Sequence, residues 1–441
     1  MKKRLFVFSV DAMVQEDIEY LRNKPGSHFS KFYENCCGLE SVRTIYPAIT
    51  YPIHASIQTG CYPDKTGVYT NYLFDTDCDR YDWTWDSRLI KTETIFEAAK
   101  KAGYTTGAAF WPVTAYNPYI DYHMPEYWLH HAGDTLRETF MEMGASTQIA
   151  EFMERHTDRL PMGYERTGKS NFAVEPYFDD FMIHVTLDMI RECKPEVLFI
   201  HGCVVDSARH SNGVFCPAVT QALDQVDEWL GMILDAFREA GTYEDTNFVI
   251  LSDHGQMDCI RKVHPNLILA RNGLIDVDET GKVRDYKCYG IHNGHSMTFW
   301  MKDRTNKADY EKAKKVLCDM AADGVWGISE VLNRQEAKER FHLDGDFAFI
   351  VESDGYSYFG DQVSGPIVTN LGLKNYRMGV GEHGHMPDLG PQPVFLAKGP
   401  DFRENVFLPR RSIVDEAPTF AKLLGVEMPQ AQGIAITELL K

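Results

Sequence analysis

The sequence predicts an α/β fold, with a doubly wound, mostly parallel sheet flanked by helices and a smaller inserted α+β cap. Short and nearly continuous apolar runs are typical of strands that are buried on both faces. Amphipathic helical patterns alternate with these runs, as in βαβ units. From about residue 257 to residue 380 this alternation breaks, which indicates the cap.

The core is predicted from its strands and from three helices. The strands are residues 4–10, 105–110, 196–201, 247–252 and 393–397. One helix is predicted to have Thr92 as its N-cap and to stop at Gly103, a long amphipathic helix ends at Gly241, and a last helix precedes Gly425. We therefore assign residues 1–256 and 381–441 to the catalytic core, and residues 257–380 to the cap.

Composition narrows the classes of function. The net charge of −19 argues against binding of nucleic-acid polymers by the whole surface. The sequence contains no run of 18 apolar residues, the length that would indicate a membrane span. The apolar run that ends at Asp11 is too short for a secretory signal. The ten cysteines form no C-x-x-C pair. We expect a cytoplasmic protein with reduced thiols; composition says nothing about its oligomeric state.

Acidic and imidazole side chains recur at the ends of the predicted core strands, where open α/β sheets bind ligands. A single aspartate in such a place more often caps a helix, but the recurrence at four strands indicates a metal site. Six oxygen and nitrogen donors exceed one tetrahedral shell and suit two adjacent ions, zinc or a similar divalent metal. The candidates are Asp11, Asp206, His210, Asp253, His254, and one of His383 and His385.

The stretch YPAITYPIHASIQTG, residues 46–60, offers several hydroxyl groups. Pro52 suits the first turn of a helix that would continue to Gly60. Thr50 would then lie just before the helix, where the helix dipole favours an anion, although a simple N-cap explains it as well. Ser56 and Thr59 would be structural residues inside the helix.

The ordered set of motifs resembles the nucleotide pyrophosphatase/phosphodiesterase family, the type I phosphodiesterases of the alkaline phosphatase superfamily. The resemblance covers most of the chain and rests on Asp11 after the first strand and on five further segments. These are PAITYPIHASIQTGCYPDKTGVYTNYLFD (47–75), FWP (110–112), DSARH (206–210), SDHG (252–255) and GEHGH (381–385).

The resemblance implies an alkaline phosphatase-like core and a two-zinc phosphodiesterase that works through a covalent phospho-threonine at Thr50. It implies that Asn71, otherwise a typical turn residue, donates a hydrogen bond to a phosphoryl oxygen. Implied ligands of the zinc at Thr50 are Asp11, Asp253 and His254, and those of the second zinc are Asp206, His210 and His383. The implied substrate is a small phosphate ester, with nucleotides among the candidates.

Four departures from the family pattern surround the second metal and the substrate groove. Arg209 replaces a glycine in DSARH, His385 replaces a tyrosine and could compete with His383, Val113 replaces a glycine after FWP, and HGCVV (201–205) replaces an acidic run. Other hypotheses are phosphonoacetate hydrolysis or phosphomonoester hydrolysis on the same core, and a non-catalytic metal-binding protein.

Overall fold

The computed structural model describes residues 2–75, 80–127, 135–161, 175–371 and 380–441. Its strands are short, and most are buried. In chain order they are β1 (Arg4–Val10), β2 (Cys37–Leu39), β3 (Val42–Arg43), β4 (Tyr72–Asp75), β5 (Arg80–Trp83), β6 (Thr106–Ala109), β7 (Tyr122–Met124), β8 (Val197–Gly202), β9 (Thr246–Leu251), β10 (Met257–Cys259), β11 (Arg261–Val263), β12 (Ile275–Val277), β13 (Val283–Tyr286), β14 (Cys288–His292), β15 (Ser296–Met301), β16 (Ile328–Asn333), β17 (Phe349–Ser353), β18 (Ser357–Phe359), β19 (Val368–Asn370), β20 (Val380–Glu382), β21 (Phe395–Lys398), β22 (Phe407–Leu408) and β23 (Arg411–Ser412).

The α-helices of the same residues are α1 (Gln15–Asn23), α2 (His28–Tyr33), α3 (Thr50–Thr59), α4 (Pro63–Thr66), α5 (Ile95–Lys101), α6 (Leu136–Glu142), α7 (Thr147–Arg155), α8 (Tyr177–Asp188), α9 (Val204–Asn212), α10 (Pro217–Glu239), α11 (Pro265–Arg271), α12 (Lys307–Asp323), α13 (Arg334–Phe341) and α14 (Glu416–Leu424). Short 3-10 turns cover Ser87–Leu89, Thr157–Arg159, Tyr243–Asp245, Ile413–Asp415 and Thr437–Leu439, and a π turn covers Met189–Cys193. No helix of the described residues combines the length and the apolar composition that crossing a membrane requires.

Eight strands form the central sheet, in the order β22-β2-β21-β9-β1-β8-β6-β7. Strand β21 alone runs antiparallel to its two neighbours, and the other pairs are parallel. All five predicted core strands belong to this sheet, so the predicted fold class is confirmed.

Helices cover the central sheet on both faces because side chains alternate along each strand. In β1, Phe6 and Phe8 join one apolar cluster, which contains Phe237 of α10, whereas Leu5 and Val7 join the other. The second cluster contains residues of α3, α5 and α14. This double covering explains why the strands are nearly continuous apolar runs in the sequence.

Most strands between residues 257 and 380 belong to smaller sheets with an apolar core of their own. Strands β14, β15, β17 and β16 form an antiparallel sheet. Strands β18, β11 and β19 form a mixed sheet, in which β11 is parallel to β18 and antiparallel to β19. Phe299, Leu317 and Val351 are buried in the cluster that these elements share. Strands β10 and β20 pair with each other at the two ends of the segment. The division into a core and a cap at residues 257 and 380 stays a prediction.

Two helix starts differ from the sequence prediction. Thr94, and not Thr92, caps α5, because its hydroxyl accepts a hydrogen bond from the Glu97 N–H at 3.2 Å. Thr50 is the first residue of α3 and does not precede it; the N-cap is Ile49, with an extended backbone. The predicted end of α3 is found at Gly60, whose φ of +68° is the left-handed conformation that glycine adopts readily.

Candidate active site

A cavity of about 490 Å³ opens where strands β1 and β8 end. Its wall combines carboxylates, imidazoles and aromatic rings that are drawn from segments far apart in the sequence. The lining residues are Asp11, Thr50, Tyr51, Asn71, Tyr72, Trp83, Glu126, Cys203, Asp206, Ser207, His210, Ser211, His292, Asn293, Gly294, Glu382 and His383. The prediction that ligands bind at the carboxyl ends of the core strands thus agrees with the position of the cavity.

Asp11, Asp253 and His254 form one compact group of metal donors, as the family resemblance implies. All three are buried. The Nε2 atom of His254 lies 3.5 Å from Asp11 Oδ1 and 3.4 Å from Asp253 Oδ2. The other oxygen of Asp253 accepts hydrogen bonds from the backbone N–H groups of Ala12 and His254. The turns after β1 and β9 therefore hold the carboxylate with one oxygen left for another partner.

A second donor group combines Asp206 and His383 with His254, which belongs to both groups. His210 lies one turn after Asp206 on α9, with its Nε2 atom 3.2 Å from Asp206 Oδ2. Its Nδ1 atom donates a hydrogen bond to the Gly381 carbonyl at 3.0 Å. The structure therefore brings the predicted second ligand set together, and it also places His254 between the two sets.

The donor groups fit divalent cations because several of their buried atoms lack a hydrogen-bond partner. These atoms are Asp11 Oδ1, Asp253 Oδ2, His254 Nδ1 and His383 Nδ1. Burial and the nearby Asp253 carboxylate raise the pKa of Asp11 well above its usual value. Buried carboxylates at such close range repel each other, and bound cations remove that repulsion. Nitrogen and carboxylate donors are the ligands that zinc takes in catalytic sites.

Thr50 is placed beside both donor groups by the start of α3. Its side-chain oxygen lies 3.2 Å from His254 Nε2, and the residue is 9% exposed, on the cavity side. The Nδ1 atom of His54 donates a hydrogen bond to the Thr50 carbonyl at 2.9 Å. His54 therefore helps to position the turn that carries Thr50.

Asn71 holds the first turn of α3 and presents its amide group to the cavity. The side-chain oxygen of Asn71 accepts a hydrogen bond from the Tyr51 N–H at 3.0 Å, so its NH₂ group is the part left to meet a ligand. Pro52 has no N–H. Of the first three residues of α3, only the Thr50 N–H is left for an anion.

His383 and His385 occupy different environments. His383 lines the cavity and belongs to a donor group, with its ring centroid 4.3 Å from that of His254. His385 is buried behind the cavity wall, and its Nδ1 atom donates to the Met386 carbonyl at 2.9 Å. The geometry favours His383 as the ligand.

Two residues that depart from the family pattern are buried. Arg209 is fully buried and points away from the cavity, where it forms an ion pair with Asp17 of α1 and donates to the Val214 carbonyl. Val113 is buried with a φ of +58°, a conformation that suits glycine better than a β-branched residue. Arg209 therefore affects packing and not the substrate directly.

Sequence reasoning missed an aromatic and acidic part of the cavity wall. Tyr72 and Trp83 of the β4–β5 hairpin lie side by side, with ring centroids 4.7 Å apart. Glu126 follows β7; burial raises its pKa to about 8. The aromatic residues in 110–123 do not line the cavity. Tyr72 follows the Asn71 motif directly, which is the one signal that could have indicated it.

A loop between β14 and β15 also reaches the cavity, through His292, Asn293 and Gly294. Gly294 has a φ of +82°, and a Cβ atom there would lie 2.3 Å from the His383 carbonyl oxygen. Gly384 has a φ of +85°, and a Cβ atom there would meet the Asn293 carbonyl oxygen at 1.6 Å. Both glycines are required for this close approach, which joins the loop to the candidate ligand His383.

Glu382 extends the site behind His210. Burial alone would raise the pKa of Glu382, but the His210 imidazole lowers it to about 2. The Nδ1 atom of His210 lies 3.6 Å from Glu382 Oε2. The carboxylate and the Gly381 carbonyl thus favour a proton on Nδ1 of His210, with Nε2 facing Asp206, which is the arrangement typical of metal-binding histidines.

The sheet topology and the two donor groups define an alkaline phosphatase-like α/β protein with a candidate centre for two metal ions. The family model of type I phosphodiesterase/nucleotide pyrophosphatase matches residues 5–384, so the chain belongs to this family. The resemblance inferred from the motifs is therefore confirmed. The predicted reaction, hydrolysis of phosphoric ester bonds, is the one for which the family is named.

Curated relatives are distant in sequence. Human ectonucleotide pyrophosphatase/phosphodiesterase family member 1 is 24% identical over 243 residues, which cover 53% of this chain and 22% of that protein. The chain thus spans about a fifth of the length of the relatives that it matches first. Human family member 5 is 21% identical over 92% of this chain and 72% of its own length. The human bis(5'-adenosyl)-triphosphatase ENPP4 is 21% identical over 93% and 76%.

Solved structures support the fold over the whole chain. Murine ENPP5 has a TM-score of 0.66 at 20% identity and covers all of both chains. Human ENPP5 has a TM-score of 0.68 at 18% identity with the same coverage. A further murine ENPP5 structure, an inactive threonine-to-alanine variant in complex with AMP, also has a TM-score of 0.66. At these identities the likeness shows the fold alone.

Proposed function

We propose that this protein hydrolyses phosphate diesters in the cavity, with Thr50 as the nucleophile. The observation that carries the proposal is the position of the Thr50 hydroxyl, which faces the cavity 3.2 Å from His254, the residue shared by both donor groups. A threonine in ordinary helix packing does not need carboxylates and imidazoles converging on its oxygen. The family is named for this class of hydrolysis.

Two zinc ions are the proposed cofactors. Asp11, Asp253 and His254 would hold one ion beside Thr50, and the second would be held by Asp206, His210 and His383. When bound, zinc supplies positive charge that lowers the pKa of a neighbouring hydroxyl or water and offsets charge on a phosphoryl group.

The residues of the chain account for the remaining chemistry. The Thr50 oxygen forms a bond to phosphorus while the bond to the leaving oxygen breaks, and the leaving group departs as an alcohol with the proton that Thr50 loses. Water then attacks phosphorus, a proton of that water restores the Thr50 hydroxyl, and the phosphate monoester is released. The Asn71 NH₂ group and the Thr50 N–H donate hydrogen bonds to the non-bridging oxygens. Asn71 thereby couples recognition of the phosphoryl group to the orientation of the helix turn that carries the nucleophile.

We propose a small phosphate ester as the substrate, with nucleotides among the candidates. A cavity of about 490 Å³ lies in the range of sites for small ligands. Tyr72 and Trp83 supply an aromatic wall for an organic group next to the metal donors. The AMP complex of the murine relative supports a nucleotide in a site of this fold.

A substrate panel on zinc-loaded protein tests the proposed diester preference. We expect a nitrophenyl phosphodiester to be hydrolysed with a higher kcat/KM than the nitrophenyl monoester or phosphonoacetate. Faster turnover of the monoester or of phosphonoacetate would favour the corresponding alternative hydrolase. Two bound zinc ions with no turnover of any of the three would instead favour a non-catalytic metal-binding protein.

A cytoplasmic location remains a proposal, supported by the cysteines. All nine cysteines in the described ranges are unpaired, and the adjacent Cys36 and Cys37 are both buried. We expect thiol alkylation of protein denatured without reductant to label these cysteines; a disulfide-linked pair would contradict the prediction. The net charge of −19 supports the further expectation that nucleic-acid polymers do not bind.

A further inference from the structure

A chain of buried hydrogen bonds runs behind the metal donors from α3 to β8. The Nδ1 atom of His54 donates to the Thr50 carbonyl, because a carbonyl can only accept. Its Nε2 atom lies 3.1 Å from the Ser9 hydroxyl, which in turn lies 3.0 Å from Nδ1 of His201. The two imidazoles are fully buried with ring centroids 4.3 Å apart, which favours the neutral form of both.

The direction of this chain fixes the tautomer of His201. Since Nε2 of neutral His54 is an acceptor, Ser9 donates to it and accepts the Nδ1 proton of His201. The Nε2 atom of His201 then carries a lone pair and no proton. It has no hydrogen-bond partner in the described residues, although it lies 3.3 Å from Asp11 Oδ2. A lone pair and an ionised carboxylate oxygen at this distance repel each other, and either a proton or a metal cation between them removes the repulsion.

Cys203 supplies a third donor at the same place. One ligand atom from each of Asp11, His201 and Cys203 lies within 4.8 Å of the others, and all three residues are buried. Four carboxyl groups lie near the Cys203 thiol, those of Asp11, Glu126, Glu175 and Asp179. The acidic surroundings attract a cation, and a thiolate selects a soft or borderline metal such as zinc.

The two oxygens of Asp11 face opposite sides. Oδ1 lies 3.5 Å from His254 Nε2, on the side of the proposed first zinc, and Oδ2 faces His201. One carboxylate can therefore bridge two ions without losing either contact. Cys203 and Asp11 both line the cavity, so a fourth ligand can come from water or a substrate oxygen.

We propose that Asp11, His201 and Cys203 form a third metal site, for zinc or another thiophilic divalent cation, which shares Asp11 with the catalytic centre. Binding converts the Cys203 thiol to a metal-bound thiolate and releases one proton to solvent. The HGCVV segment, which departs from the family pattern, is thereby the source of two of the three ligands.

Cobalt substitution of the protein tests the third site by optical absorption. The proposed catalytic ligands are carboxylates, imidazoles and a hydroxyl, so a cobalt–thiolate charge-transfer band in the near ultraviolet reports the third site alone. We expect wild-type protein to develop this band and to bind a third equivalent of cobalt and of zinc. Cys203→Ser should lose the band and that equivalent.

Cys259→Ser is the matched control, because Cys259 is also buried and its sulfur lies 3.3 Å from His295 Nε2, outside the cavity. This variant should keep the band. Absence of the band in wild-type protein, or its persistence in Cys203→Ser, would overturn the third site, and the wild-type result does not depend on how any variant folds. Two bound zinc ions without the band would leave the proposed catalytic centre intact.

Discussion

Thr50 is the residue whose removal should stop the proposed chemistry without emptying the site. Thr50→Ala removes the attacking oxygen, and we expect kcat to fall by at least about a thousandfold, as for other nucleophile deletions. The zinc content should stay near that of wild-type protein, because the carboxylate and imidazole donors are untouched.

Thr59→Ala is the matched control for Thr50. Thr59 lies in the same helix and is buried, and its hydroxyl donates to the Ala55 carbonyl at 2.6 Å, away from the cavity. It should keep turnover within a few-fold of wild type. Near-normal turnover of Thr50→Ala would remove the nucleophile assignment.

Asn71 should stabilise the transition state of phosphoryl transfer. Asn71→Ala removes a donor to the phosphoryl oxygens, for which a loss of about a hundredfold in kcat is expected. Because the side chain also caps the Tyr51 N–H, a modest drop in the melting temperature should accompany it. Steady-state kinetics and thermal unfolding separate the two effects, and an unchanged kcat would contradict the assignment.

At the scale of single elements, one buried ion pair joins α9, which carries Asp206 and His210, to α1. Arg209→Met would leave the Asp17 carboxylate buried without its charged partner, at a cost of about 3 kcal/mol or more. Adding Asp17→Asn should recover part of the loss in unfolding free energy. The exposed pair of Arg238 and Asp235 provides the control, where Arg238→Met should cost less than about 1 kcal/mol.

If Arg209→Met and Arg238→Met destabilised the protein equally, the pair would not be the link between the two helices. A double variant as unstable as Arg209→Met alone would show that the loss comes from packing of the arginine and not from the stranded carboxylate.

Strand β17 carries a buried carboxyl group, Glu352, that should make stability depend on pH. Burial raises its pKa from 4.5 to about 8, while one oxygen accepts the Met386 N–H at 3.0 Å. The folded protein therefore binds this proton more tightly than the unfolded chain. The contribution to stability is complete below the unfolded pKa and is lost as the pH rises towards 8.

Glu352→Gln keeps a carbonyl for Met386 and cannot ionise. We expect its melting temperature to rise relative to wild type as the pH increases from 4.5 to 8, with up to a few kcal/mol involved. Glu330→Gln on β16, whose carboxylate is more exposed and pairs with Arg340, should show no such gain. If the melting temperature of Glu352→Gln fell relative to wild type as the pH rises, the raised pKa of Glu352 would be contradicted.

The sequence was sufficient for elements whose pattern is local. The strand over residues 4–10 was predicted with its observed bounds, since its apolar run is continuous and ends in a carboxylate. Asp11 and Asp253 could be placed because the end of a parallel strand fixes where the next side chain lies. Thr92 was wrongly assigned as a cap because two threonines stand two residues apart, and the choice of Thr94 depends on tertiary packing.

The remaining parts of the site depend on how distant loops meet, which no local pattern encodes. Glu126, Cys203 and the loop of Asn293 reach the cavity from three separate segments. Gly294 and Gly384 are needed because two backbones pass within van der Waals distance, and this approach exists only in the folded chain.

At the scale of the whole molecule, the proposed metal centre joins β1, β9, α9 and the loop after β20 around one set of buried charges. Removing the ions with a chelator should abolish turnover and lower the melting temperature. When the free zinc concentration is about a thousand times the Kd of a site, binding at that site adds about 4 kcal/mol to the free energy of unfolding. Zinc should restore both properties; full activity of a preparation shown to be metal-free would contradict the two-metal proposal.

In the proposed mechanism the phosphoryl group is transferred to Thr50. Trapping the covalent phospho-threonine intermediate tests this transfer directly. Zinc-loaded protein is mixed with excess bis(nitrophenyl) phosphate, quenched in acid during turnover and mapped by peptide mass spectrometry. We expect a nitrophenyl-phosphoryl adduct on Thr50 that is absent from Thr50→Ala. An adduct on another side chain, or steady turnover in Thr50→Ala, would contradict the proposed mechanism.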